Sequence, residues 1–241
     1  MPAIIGTAGW TIPASDRAAF PEQGTSLERY SARLAGAEIN SSFHRPHRRS
    51  TWEKWGASVP DCFRFSVKVP KTITHKAKLV GAAELLAAHL EEAGALGPKL
   101  AVHLVQLPPS LAYDEALADG FFGQMQDLAV TAAIACEPRH PSWFEPEADA
   151  LLQRRQVACV AADPACVPAA AQPSGWRGLA YFRLHGSPVM YRSSYRDGRL
   201  EAYADQLRAA GEGAWCIFDN TASSKAMGDA LGLMELLATP G

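Results

Sequence analysis

No run of apolar residues in this chain approaches the ~20 needed to cross a bilayer, which excludes a helical membrane span. The opening MPAIIGTAGW lacks the basic flank and the apolar length of a secretory leader. The five cysteines (Cys62, Cys136, Cys159, Cys166 and Cys216) form no CxxC pair. An odd, scattered set of this kind reads as reduced, buried thiols in a cytoplasmic protein, not as a zinc or disulfide framework. Nucleotide-cofactor signatures are missing, because GTAGW is not GxGxxG and no GxxxxGK[ST] occurs. No HExxH, HxH or DxD spacing forces a metal. No Pro/Gly/Ser-rich linker divides the 241 residues, so residues 1–241 are expected to form one domain.

What the chain does contain is a series of eight short apolar runs, most of them ending in a residue that can do chemistry. They are AIIGTAGW (3–10), AEINSSF (37–43), FRFSVK (63–68), LAVHLVQ (100–106), AAIACEPR (132–139), VACVAAD (157–163), AYFRLH (180–185) and AWCIFDN (214–220). Runs of six to eight residues rich in Val, Ile, Phe and Ala are the pattern of parallel strands buried on both faces. Helical periods lie between them at 25–34, 48–58, 81–96, 114–129, 145–156, 198–211 and 224–238. In the first of these, Leu27, Tyr30 and Leu34 share a face behind a Thr25 or Ser26 cap. In 81–96, Leu85, Leu86, Leu90 and Ala93 come together. The interval 164–178 reads as a long loop with a turn of helix. Eight strand–helix units in about 250 residues predict an α/β fold, a (β/α)8 TIM-like barrel with its site at the strand C-terminal face.

The near-neutral net charge of −2 hides an asymmetry. Between His44 and Lys78 stand nine Lys/Arg against two acids, Glu53 and Asp61. Most of those basic residues fall in loops that follow strands, at 44–49 and 68–78, rather than along one helix face.

The strings GTAGW (6–10), EINSSFHRP (38–46), FSVKVPKTITH (65–75), QLPPS (106–110), EPRHPSW (137–143), FRLHG (182–186), YRSSY (191–195) and FDNT (218–221) together resemble the YecE-like family, domain of unknown function 72. The resemblance implies a TIM barrel and brings no settled activity. The chain departs from the family's usual pattern at His44, where Tyr is common, and over TIPASDRAAF after the first strand.

Alternate residues on a strand share a face, so Glu38 pairs with Asn40, Glu137 with Arg139, and Arg183 with His185. Lys68 ends its strand in the same layer. This predicts a site in which Glu137, His185, Lys68 and Glu38 are catalytic. Arg183, Arg139, Asn40, Asn220, His75, Trp10, Tyr191 and Tyr195 would contact the substrate. In this sketch Arg183 and Lys68 hold an anionic group, Glu137 or His185 moves protons, and Asn40 and Asn220 orient the ligand. Trp10, Trp143, Tyr191 and Tyr195 would wall a ring-shaped ligand. A desolvated strand-end Lys68 could also act as an amine nucleophile, although anion anchoring is the simpler role. Ion pairs such as Lys68–Glu38 or Glu137–Arg183 that only hold the strands together are the competing structural reading. His140 reads as a loop anchor and His103 as core.

The leading functional expectation is an enzyme using acid–base chemistry on a small phosphate- or carboxylate-bearing substrate, with no cofactor. Glu38, Glu137, Asp163, His185 and Asp219 are acceptable ligands for a divalent metal, but Lys68 and Arg183 would repel a cation. One alternative is a nucleic-acid-binding or phosphodiester-processing barrel gripping phosphates through loops 44–49, 68–78 and 191–199, with Arg192, Arg196 and Arg199. Another is a non-catalytic ligand-binding barrel. The oligomeric state is open.

Overall fold

The computed structural model of the chain describes residues 2–128, 131–195 and 198–239, so Arg196 of the expected phosphate-gripping loop lies outside the described residues. The strands, in chain order, are β1 (Ile4–Thr7), β2 (Gly36–Ile39), β3 (Arg64–Lys68), β4 (Leu100–Gln106), β5 (Ala133–Glu137), β6 (Val157–Cys159), β7 (Ala161–Asp163), β8 (Ser174–Gly175), β9 (Tyr181–Leu184) and β10 (Trp215–Phe218). The helices are α1 (Ser26–Ser31), α2 (Arg49–Ala57), α3 (Ala83–Gly94), α4 (Glu115–Asp127), α5 (Pro146–Arg154), α6 (Arg199–Ala210) and α7 (Ala226–Ala238).

Local chemistry marks the start of three of the helices. Thr25 and Glu28 form a reciprocal capping box on α1. The Asp114 carboxylate accepts from the Leu117 N–H on α4, and Pro146 opens α5. In α3 the buried face is Leu86, His89 and Ala93. Leu85, expected on that face, is 50% exposed instead. Residues 164–178 hold a short helical turn at Pro168–Ala171 and the brief strand β8, which the sequence reading did not anticipate.

Among the described residues the strands form two sheets, in the orders β1-β10-β9-β7 and β2-β3-β4-β5-β6-β8. Their pairings are parallel except for β6 with β8. The expected single ring of eight strands is therefore not present as one continuous ladder. One division falls inside 157–163: β6 pairs with β5, β7 pairs with β9, and Val160 between them donates to the Cys136 carbonyl. The other lies between β1 and β2 and has a physical cause. The buried Tyr30 hydroxyl inserts between these strands, accepting from the Thr7 N–H at 2.9 Å and donating to the Gly36 carbonyl at 3.0 Å. It replaces a direct strand-to-strand bond. The same two strands approach so closely that a Cβ on Gly6 would lie 2.3 Å from the Gly36 oxygen. Just beyond, Ala8 bridges Glu38, and the Gly9 N–H donates to the Glu38 carbonyl.

Apolar side chains form three clusters. Two lie between strands and helices. The third joins residues of both sheets, including Ile4, Val102, Leu104, Ala135, Ala158, Tyr181, Trp215 and Ile217. Continuing this third face by steps of two along each strand reaches Gln106, Glu137, Arg183, His185 and Asp219. That one face is apolar at the amino ends and charged at the carboxyl ends, and this polarity positions the site.

Five cysteines were expected to be buried, but Cys62 and Cys166 are exposed. They stand in connections, just before β3 and just after β7, rather than in strands. No helix among the described residues is long and apolar enough to cross a membrane.

Candidate active site

At the carboxyl ends of β2, β3, β5, β9 and β10 lies a buried charged cluster with Arg183 at its hub. Arg183 is fully buried. Its Nε and Nη2 donate to the two Glu38 oxygens at 2.9 and 2.7 Å. Nη1 reaches Glu137 Oε2 at 3.0 Å, and Nη2 also meets Asp219 Oδ2 at 2.8 Å. Three carboxylates thus surround one guanidinium. Burial opposes every charge here, yet Asp219, Glu38 and Glu137 hold Arg183 firmly protonated. Burial likewise works against Glu137, but Arg139, Arg183 and His185 outweigh it and hold its carboxyl well below the usual range. Asp219 is lowered in the same way, mainly by Arg183 and His185 acting against burial.

His185 bridges two of these carboxylates, with Nε2 2.9 Å from Glu137 Oε1 and Nδ1 3.1 Å from Asp219 Oδ2. Arg139 contacts both Glu137 and the His185 ring. Its side chain is 12% exposed, whereas that of Arg183 is fully buried. Gln106 donates to Glu137 at 3.3 Å. Beneath the cluster, Tyr181 donates to Ser66 at 2.9 Å and lies 3.3 Å from Glu38.

Lys68 differs from every other charge in the cluster. It is 5% exposed, and its Nζ has no ion-pair or hydrogen-bond partner among the described residues. The Phe43 ring lies under it, 4.1 Å from Nζ to centroid. Ser42 accounts for the local geometry: its hydroxyl donates to the Lys68 carbonyl at 2.6 Å, tying the end of β3 to the turn after β2. Burial, followed by repulsion from Arg183, pulls the Lys68 ammonium down to about 8, against the opposing pull of Glu38, Glu137 and Asp219.

His75 and Tyr191 border the cluster, whereas the Trp10 ring packs edge-on against Trp55 and Phe65. His75 lies edge-on to Phe43 at 5.0 Å and Nδ1 meets Thr74 Oγ1 at 2.8 Å. Burial and Lys68 lower its basicity. Asn40 and Trp10 line a cleft of about 310 Å³ with Gly9, Ser41 and His44. The Asn40 Oδ1 is buried without a partner among the described residues. Tyr191 stands over His185, edge to face at 5.5 Å, and is 41% exposed.

Several expected roles are corrected by these contacts. Arg183 cannot anchor a substrate anion, because its N–H groups are engaged by Glu38, Glu137, Asp219 and His185. Of the two structural ion pairs considered, Glu137–Arg183 forms and Lys68–Glu38 does not. Asn220 is fully buried and donates to the Ser193 carbonyl and to Asp229, so it fastens the loop after β9 rather than orienting a ligand. Tyr195 is 2% exposed; its hydroxyl accepts from Gly186 N–H and donates to the Asp163 carbonyl. Trp143 is buried with Nε1 donating to the Leu111 carbonyl. Neither ring walls a ligand. His140 caps the turn at Pro141–Phe144 and His103 is core, as expected.

The basic arc is also thinner than its sequence. Arg199 pairs with Asp163 at 2.6 Å, Arg49 with Glu53 at 3.0 Å, and Arg64 donates to the Asp61 and Phe63 carbonyls at the amino end of β3. Asp219, expected only as a possible metal ligand, belongs to the cluster, as do Phe43, Ser42 and Gln106, which were not among the expected catalytic or substrate-binding residues. Asp219 was detectable, because it stands level with His185 once AWCIFDN and AYFRLH are aligned as neighbouring parallel strands.

Among the described residues no group of three or more His, Cys, Asp or Glu is arranged to hold a metal ion. Glu38, Glu137 and Asp219 converge instead on the Arg183 guanidinium.

The family model described as "Protein of unknown function DUF72" matches residues 4–241. The UPF0759 protein YecE of Escherichia coli is 29% identical over 140 residues, which are 58% of this chain and 49% of that protein. The chain thus spans about half the length of the curated relatives it matches. A crystal structure of a DUF72 family protein from Enterococcus faecalis superposes with a TM-score of 0.82 at 18% identity, covering 99% of this chain and 96% of that one. One from Thermotoga maritima superposes with a TM-score of 0.80 at 20% identity, covering 99% and 100%. At these identities the likeness is one of fold.

Proposed function

The chain belongs to the DUF72 family, and from the charged cluster in this member we propose an enzyme that performs acid–base chemistry on a small phosphate- or carboxylate-bearing substrate. The architecture we propose for it is a single (β/α)8 barrel, its two sheets joined through the Tyr30-bridged seam and the shared segment 157–163, with the site at the strand carboxyl ends. The observation that carries the reading is the density of buried ionisable groups at one end of the strands: Glu38, Lys68, Glu137, Arg183, His185 and Asp219. Ion pairs buried this deeply are weak stabilisers, and strongly shifted groups concentrate at sites of chemistry.

The roles divide by partnering. Arg183 holds the carboxylates in place. Arg139, whose side chain is partly exposed, receives the anion. His185, held between Glu137 and Asp219, and Lys68, close to neutrality in its proton affinity, move protons.

The test is anion binding. Wild-type protein is expected to melt at rising temperature as inorganic phosphate is added, and Arg139→Gln is expected to lose that response while remaining folded. A melting temperature indifferent to both phosphate and small carboxylates would contradict the reading.

A further inference from the structure

Among the described residues two lysines are almost fully buried, and they are treated very differently. Lys99 is 7% exposed, and its Nζ is held by the Pro60 carbonyl at 2.6 Å and Asp61 Oδ1 at 3.1 Å. Such an ammonium is a structural strut. Lys68 is 5% exposed with no such partner among the described residues, although three carboxylates belong to the same cluster. Those carboxylates are drawn onto Arg183, which leaves the Lys68 amine beside a fixed cation and over the face of Phe43.

We propose that Lys68 Nζ is a covalent nucleophile that condenses with the carbonyl carbon of a small anionic aldehyde or ketone. The proposal rests on the acid–base reading above and names the substrate class for that same site. An amine attacks only through its free lone pair, and desolvation beside another cation is what frees it at neutral pH. With an ammonium pulled to about 8, about a tenth of the amine is neutral at pH 7. Arg139, which contacts Glu137 and His185 of the same cluster, would hold the substrate's carboxylate or phosphate.

The step balances without an oxidant or reductant. The Nζ lone pair forms the C–N bond while the carbonyl π pair moves to oxygen. One Nζ proton passes to that oxygen, giving a carbinolamine. Protonation of the hydroxyl and loss of water then leave a C=N iminium. The positive nitrogen withdraws electrons from the neighbouring C–H or C–C bond, which His185 and its carboxylates stand ready to work on.

The experiment is reductive trapping. Full-length protein is incubated with glyoxylate and, separately, pyruvate, reduced with borohydride, and mapped by peptide mass spectrometry. The adduct is expected on Lys68 ahead of the exposed Lys54, Lys76 and Lys78, rising with pH through about 8 and suppressed by inorganic phosphate. Lys68→Arg keeps the charge and is expected to retain phosphate binding while forming no adduct at this position. Adducts confined to exposed lysines, with phosphate binding intact, would overturn the amine step alone. Loss of both would overturn the acid–base reading with it.

Discussion

Arg183 illustrates how partnering decides a residue's role. Removing one member of a buried ion cluster leaves the others uncompensated, at a cost of about 3–5 kcal/mol. Arg183→Met is therefore expected to destabilise the fold by about that amount in urea titrations at neutral pH. Its pH dependence has a definite sign. Glu137 and Asp219 have depressed folded-state values, so their contribution is complete above the ordinary carboxylate range and is lost as pH falls through those depressed values. In the variant the cation that depresses them is gone, so the deficit relative to wild type should shrink as the solution is acidified. A deficit that stays constant with pH would show that the carboxylates do not depend on Arg183. Strand parity in the sequence was enough to bring Glu38, Glu137, Arg183 and His185 together. It could not say that Arg183 would be consumed by carboxylates and Lys68 left out, because partnering depends on which strands meet across the interior.

Tyr30 belongs to α1 yet completes the seam between β1 and β2. Tyr30→Phe keeps the packing but strands the Thr7 N–H and Gly36 carbonyl, and is expected to cost about 1–3 kcal/mol. Hydrogen exchange at the Thr7 amide should accelerate, and an unchanged rate would remove Tyr30 from the seam. The α3–β4 contact offers a second case. His89 and His103 lie 6.0 Å apart, both buried. Burial lowers His89 to about 3, with His103 adding to the effect, and burial lowers His103 to about 4. A histidine with a depressed folded value supports the fold fully above its unfolded value of 6.5 and loses that support as pH falls from there toward 4 and 3. Replacing His89 with Leu should therefore flatten the acid limb of the stability profile. The helices were legible from apolar period, and the strands too, except that the run at 37–43 turns after Ile39, the segment 157–163 divides into β6 and β7, and β8 was not anticipated. The seam was not legible, because no local pattern tells that a helix hydroxyl will replace a strand-to-strand bond.

At the scale of the whole molecule, the polarity of the strand interior separates stability from chemistry. Apolar side chains fill the amino ends and ionisable ones the carboxyl ends. Arg45, Arg48 and Lys76 are exposed and have no ion pair among the described residues. With Arg49, Arg64 and Arg199 already engaged, weak retention on heparin, lost near about 50 mM salt, is expected. A steep salt dependence at higher salt would favour phosphate-backbone binding over a small-anion site. The central claim turns on Lys68 being an underpartnered amine facing an anion site. The most direct measurement is an NMR titration of its side-chain carbon signals, with and without inorganic phosphate. Lys68 is expected to titrate near 8 and to move upward when phosphate binds beside it. Titration at the ordinary lysine value near 10.5, unmoved by phosphate, would contradict the claim.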